Sequence, residues 1–375
     1  MKWTMPFVLS VCVAGCLRTH VPSGPVGPID PADSLGQVTD ATRRGYIRVA
    51  HVWQPIDTAS LDLRAGPPHE RAFPVDARIE CDYVDDGPPL TGGTPKFLCR
   101  DGESVYKVKY GDKNGEVFAE AAASRLFWAL GFGSDTIYPV QVVCRGCPMD
   151  PWRWKTRARF EEREYRLATV ERKFDATAIE TKASSGWSWP ELELVDSTAG
   201  GAPPAHREAL KLLAVFVQHG DNGHQQQRLV CLPESVTRGP AGERCNSPFL
   251  LVGDLGATFG GPGALIGSSQ AKMDFAHWVA NRVFKDEAGC VGNLDADMGG
   301  SMQDPRIREE GRAFLAERLA LLSDAQIRDI FAAARVEARG ETLEENGAKR
   351  AVTADDWVDA FKRKRQEIAD RRCPN

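Results

Sequence analysis

The sequence has no excess of basic residues. It carries 47 Lys and Arg against 52 Asp and Glu, a formal net charge of −5 over 375 residues. Nucleic-acid binders usually show a basic excess or a basic face, so nothing here advertises that partner class and none is expected. The basic tail "KRKRQEIADRRC" reads as the polar face of a helix. There is no internal repeat. Past the first 16 residues no apolar run approaches the ~20 residues of a membrane span. The "CRGC" of Cys144 to Cys147 has no second pair at that spacing and no His at finger spacing. That argues against a zinc finger. A structural disulfide is the first reading of this pair. A thiol–disulfide protein is a weaker alternative, which needs one thiol exposed and low in pKa.

What is present begins at the N-terminus. In "MKWTMPFVLSVCVAGC", Lys2 precedes a short apolar run, the form of a secretory signal. The ending Val13-Ala14-Gly15-Cys16 resembles a bacterial lipobox. That resemblance implies a signal peptide over 1–15 and a lipid on Cys16, and places the mature chain on the outer side of a membrane in the bacterial envelope. Apart from Cys12 and Cys16, eight cysteines are left, an even number that suits export and disulfides. Neighbours in sequence suggest Cys81 with Cys99, Cys144 with Cys147 and Cys231 with Cys245, leaving Cys290 with Cys373.

Residues 17 to about 40 are rich in Pro, Gly and polar residues and read as a tether; with the stretch to 75 they form an N-terminal extension. From 76, "ARIECDYV", "PKFLCR" and "SVYKVKYG" read as strands. "NGEVFAEAAASRLFWALGFG" follows as a helix with Asn114 as N-cap and Gly131 as its stop. "TIYPVQVVCRGC" and "YRLATVERKF" read as two more strands. After 205 the pattern is mostly helical, broken by a strand pair, "RLVCL" and "PFLLVGDLG". Ser323 and Thr353 open helices with capping-box starts. The fold class is α+β.

Four polar features fall in a fixed order: Lys107 or Lys109 on a strand, Glu116 or Glu120 on the next helix, "HGDNGHQQQ", and "VGDLG". Phosphoryl transfer needs such parts: a Lys on the phosphates, a Glu to orient it, an Asp at the attacking hydroxyl and an Asp on the metal. The order resembles the protein-kinase-like superfamily in its atypical branches. "VYKVKYG" and "AEAAASRL" are similar to the Lys strand and following helix of phosphatidylinositol kinases. "HGDNGHQQQ" resembles the catalytic loop of lipid kinases, HipA toxins and the secretory-pathway casein kinase. "GDLG" stands where an Asp-Phe-Gly motif would.

The resemblance implies a two-lobed kinase-like fold, with a small β-rich lobe over 76–180 and a larger mostly helical lobe over 181–375. It implies a nucleotide such as ATP and Mg or Mn as cofactors. Residue by residue it implies Lys107 on the phosphates, with Lys109 as alternative, Glu120 as the partner of that Lys, and Asp221 as the catalytic Asp that accepts or orients the acceptor hydroxyl. Metal would fall to Asp254 and Gln226. Gln226 departs from the family's Asn and puts a second metal in question. Gly92 and Gly93 in "LTGGTPKF" suit a hairpin closing over phosphate. Trp187 and Trp189 suit core packing better than a ligand cleft. The acceptor, whether protein, lipid, sugar or small molecule, is not named by any of this. ATP is scarce outside a bacterial inner membrane, so such an enzyme needs exported nucleotide or another donor. A catalytically degenerate binding lipoprotein is the main alternative.

Overall fold

The computed structural model describes residues 35–69, 72–85, 90, 92–152, 159–239, 242–261, 272–286, 289–297 and 299–375. Cys16 and the signal segment lie outside the described residues. The architecture is mixed α+β. Strands β1 (Ala77–Tyr83), β2 (Lys96–Asp101), β3 (Ser104–Tyr110), β4 (Thr136–Arg145) and β5 (Glu162–Arg172) close into a barrel in the order β1-β2-β3-β5-β4. Closure comes from β1, which pairs β2 antiparallel on one edge and β4 parallel on the other. Side chains alternate across each strand. Phe97, Cys99, Tyr106, Val108, Val140 and Val170 turn inward and fill the barrel.

One helix precedes these strands in sequence and a second interrupts them. Helix α1 (Asp40–Arg48) lies where the sequence reads as tether and extension. Leu35, Tyr46 and Ile47 are buried in the main core, so this part of the N-terminal extension is packed on the body, while residues 17–34 of the expected tether lie outside the described residues. Helix α2 (Glu116–Ala129) joins β3 to β4. Asn114 accepts the Glu116 N–H, so the helix starts close to the position expected from the sequence. Gly131 ends it at φ +85°. A Cβ there would collide with the Gln54 carbonyl, so only glycine fits.

Beyond the barrel, β6 (Thr177–Ala178), β7 (Gln227–Cys231) and β10 (Pro248–Val252) form a second sheet in the order β10-β7-β6, and β8 (Val236–Gly239) and β9 (Gly242–Cys245) a hairpin. Helices α3 (Pro204–Phe216), α4 (Phe275–Ala280), α5 (Glu309–Ala320), α6 (Asp324–Ala333) and α7 (Ala354–Asp370) complete the fold, with a hairpin of β11 (Thr342–Glu345) and β12 (Ala348–Ala351) before α7. The expected capping boxes at Ser323 and Thr353 are both formed. One apolar cluster runs from α1 and α2 through Trp187 and Trp189 to Phe331, Trp357 and Phe361. Both tryptophans of "GWSWPELEL" are therefore core, with Trp187 Nε1 donating to the Leu251 carbonyl at 3.1 Å.

All four expected disulfides are present: Cys81–Cys99, Cys144–Cys147, Cys231–Cys245 and Cys290–Cys373. They point to an oxidising compartment outside the cytoplasm. Cys144 and Cys147 are both fully buried as well as bonded to each other. The thiol–disulfide reading fails there, since neither sulfur is open to a partner. Among the described residues no helix is long and apolar enough to cross a membrane.

Candidate functional site

The site is built on the outer face of the barrel. On β3, Tyr106 and Val108 point in, so Lys107 and Lys109 point out. Lys109 is 2% exposed. Its Nζ donates to Glu120 Oε2 at 2.8 Å, and lies 3.6 Å from Asp254 Oδ1 and 3.9 Å from Glu116 Oε2. Burial opposes the charge of Lys109, but Asp254, Glu120 and Glu116 outweigh it and hold its pKa well above the ordinary value. Burial pushes Glu120 up to about 7 against the pull of Lys109. The two partners do not mirror each other because Lys109 is shared by three acids, whereas Glu120 also feels Asp254 and Glu171. Its Oε1 is buried without a partner.

The resemblance favours Lys107 as the lysine paired with Glu120, and here the structure differs. Lys107 pairs with Glu171 of β5 instead. The cause is register. Val108 sits opposite Val170, which sets position 107 across from Glu171 and leaves Lys109 at the end of β3 nearest α2. Glu171 also pairs with Lys173, and Lys173 reaches Asp135 at 2.9 Å. Arg228 meets the same Asp135 at 2.9 Å. This chain of alternating charges forms one wall of the site. Glu116 is more than an acid placed to suit a helix N-terminus, since it too faces Lys109.

The second half comes from the loop after α3 and the turn after β10. Asn222 is fully buried and holds the loop. Its Nδ2 donates to the His219 and Met302 carbonyls at 3.1 and 2.8 Å. Its Oδ1 accepts from the N–H groups of Ser301 and Met302 at 2.8 and 2.9 Å. The amide thus uses its full bonding capacity. Asp221 is raised above the usual carboxylate range by burial and by Asp254, while the Gln226 amide, donating at 3.0 Å, pulls the other way. Burial drives His219 down to about 4, and both ring nitrogens lack partners, so it is a neutral packing group.

Asp254 follows the wholly buried β10. Its backbone N–H donates to the Gln226 carbonyl at 3.1 Å, which ties the two segments together. Burial works against its charge, yet Lys109 and the Gly256 N–H hold it well below the usual range. Its side chain is still 40% open.

These groups line or underlie one cleft of about 420 Å³. Lys107, Gly92, Gly93, Asp221, Gln226 and Asp254 line it, and Lys109 and Glu120 lie immediately behind. The expected residues are therefore gathered in one place. The sequence reading missed Lys96, Glu171, Lys173 and Arg228, which line the cleft too. The signal for Lys96 was there: Phe97 and Cys99 turn inward, so Lys96 turns outward.

Among the described residues no three His, Cys, Asp or Glu side chains are grouped to hold a metal alone. Asp254, Asp221 and Gln226 all line the cleft and offer it hard oxygen donors. Such a set fits a magnesium- or manganese-type ion completed by phosphate and water.

No family model matches the chain, and no curated protein does. Among solved structures, the chain is similar to the Helicobacter pylori proinflammatory kinase CtkA, at TM-score 0.41 and 10% identity, over 78% of this chain and 96% of that one. At that score and identity the likeness carries no weight for fold or activity.

Proposed function

We propose that the protein is a metal- and nucleotide-dependent phosphotransferase of atypical kinase type. In this view 76–180 is the small lobe and 181–375 the large one, and the chain is exported and anchored through lipid on Cys16. The observation that carries the reading is the buried Lys109–Glu120 pair meeting Asp254 at 3.6 Å beside the cleft that Asp221 lines. Buried charge is costly unless compensated. Four ionisable groups from β3, α2 and two later loops converge where a phosphate–metal complex would complete their balance.

Each group has a task in such a reaction. Glu120 fixes Lys109, and Lys109 orients Asp254. Asp254 and the Gln226 oxygen would hold the metal, which supplies charge neutralisation for the phosphates when bound. Asp221, with its raised pKa, suits acceptance of a proton from an acceptor hydroxyl. A second reading, a degenerate binding lipoprotein, is favoured by one feature. The Gln226 amide N–H donates to Asp221 Oδ2, a bond that stabilises the carboxylate and weakens it as a base.

Thermal unfolding with ATP and Mg²⁺ or Mn²⁺ tests binding. At 100 times the dissociation constant a ligand adds about 2.7 kcal/mol. The expected result is stabilisation that Asp254→Ala abolishes. Label transfer from γ-labelled ATP then separates the two readings, since a binding module shows the shift without transfer. No shift with either metal would overturn both.

A further inference from the structure

Lys109 has three carboxylates within 4 Å and almost no exposed surface. It does not line the cleft. Lys107 and Lys173 share Glu171, and Lys173 and Arg228 share Asp135. Each of these cations is committed to an acid. Lys96 is different. It lines the cleft, and among the described residues no carboxylate lies within ion-pair distance of it. Its ammonium sits over the Trp152 ring at 5.3 Å.

The placement of Lys96 also calls for explanation. It stands directly opposite Lys109 in the β2–β3 ladder. Like charges directly opposite on one sheet face destabilise the pair. Burial and the fields of Lys109 and Lys107 lower its pKa, against the weaker pull of Asp254 and Glu116. Gly92, at φ +88°, takes a backbone conformation that favours glycine and brings the loop before β2 close to the Lys96 head group. Lys96 is the member of this facing pair whose head group lines the cleft, so an anion held there would relieve the repulsion. Leu90 is the only apolar side chain larger than a methyl among the described residues lining the cleft, with the Trp152 ring beside the Lys96 head group as the one aromatic surface near it among the described residues. A heterocyclic base is bound mostly by apolar and aromatic surface. The wall here is instead the Lys107–Glu171–Lys173 chain.

We infer that Lys96 is the cation that contacts the ligand's phosphates, and that the ligand is recognised by its condensed phosphate chain rather than by a nucleobase. This rests on the phosphotransferase reading and specifies its donor: a nucleoside triphosphate taken without regard to base, or inorganic polyphosphate, shares that chemistry.

Calorimetric titration of the full chain in Mn²⁺ tests it, with ATP, GTP, CTP and inorganic tripolyphosphate as ligands. The four dissociation constants should agree within about threefold. Lys96→Met should weaken all of them by at least about tenfold, and Lys96→Arg should restore them. Tripolyphosphate binding as well as the nucleotides would point to an inorganic donor, and nucleotides binding a few-fold better to a nucleotide without base choice. ATP bound more than about tenfold tighter than GTP, CTP and tripolyphosphate would overturn the inference and leave the phosphotransferase reading standing. Unchanged binding by a folded Lys96→Met protein would do the same. Absence of binding by all four would remove both.

Discussion

The two faces of the β2–β3 pair are made by alternate residues of the same strands, yet they obey opposite rules. Inward, Phe97, Cys99, Tyr106 and Val108 are buried against other apolar side chains and a disulfide. Outward, Lys96, Lys107 and Lys109 meet acids, a tryptophan ring and one another. The inner face lowers free energy by leaving water. The outer face gives up hydration of charge and recovers it only where a partner stands close. A sheet built this way separates folding from function by the parity of residue number. Substitutions on the inner face should cost stability and spare the cleft's chemistry. On the outer face the cleft should suffer first, except where a charge is fully buried.

Lys109 is that exception, and the largest effect is expected there. Lys109→Met leaves Glu120 buried with no cation, a loss of about 3–5 kcal/mol in denaturant unfolding, with phosphate binding lost as well. Adding Glu120→Leu should recover much of the stability and none of the binding. A loss under about 1 kcal/mol for Lys109→Met would mean the pair is effectively solvated, and the contrast between the faces would break.

The inner face is tested by Cys81→Ala with Cys99→Ala. These residues are 18 apart, and the closed loop contributes about 3 kcal/mol. Phosphate binding by the folded remainder should change less than about threefold, because the bridge lies inside the barrel, away from the cleft. Binding lost in proportion to stability would show the two faces to be coupled.

Parity also explains what the sequence disclosed and what it withheld. Alternation in "PKFLCR" and "SVYKVKYG" made the strands legible, and the helical wheel picked out Glu120. The cysteine pairs followed from neighbouring strands and loops. The choice between Lys107 and Lys109 stayed closed because both have the same parity. It is decided by the β3–β5 register, a pairing between residues 62 apart in sequence (Val108 with Val170) that no local pattern encodes. The Glu171–Lys107 and Asp135–Arg228 pairs were missed for the same reason, since their members are distant in sequence. Helix α1 was hidden by its composition: Tyr46 and Ile47 are too few to set a period, and its helical state depends on packing.

A moderate effect is expected at Glu171, and it depends on pH. Burial works against its charge, but Lys107, Lys173 and Lys109 together bring its pKa down to about 2. A depressed carboxylate contributes stability above its unfolded pKa near 4.5, and the contribution is lost as pH falls through the folded value. Wild type should therefore exceed Glu171→Gln by about 2 kcal/mol at pH 5, and the gap should close towards pH 2. A gap independent of pH would mean that size and packing, not charge, hold that wall.

The smallest effect is expected at Lys107, and it separates most sharply the lysine that the resemblance favours from the one the geometry favours. Lys107 is 30% exposed along its side chain and shares Glu171 with Lys173. Lys107→Met removes one of two cations from that acid and leaves the other in place. The cost should be about 1 kcal/mol, as for a partly exposed ion pair with a remaining partner. Phosphate binding should fall by less than about threefold, because Lys107 is already neutralised. At Lys109 the same substitution strips a buried acid of its cation and frees Asp254. The two variants differ by two positions on one strand face and by nothing in chemistry. If Lys107→Met instead abolished binding while Lys109→Met spared it, the phosphate would have to enter from the Glu171 side, breaking the Lys107–Glu171 pair as it came. The Lys109–Glu120 pair would then be a buried brace between β3 and α2 with no part in recognition.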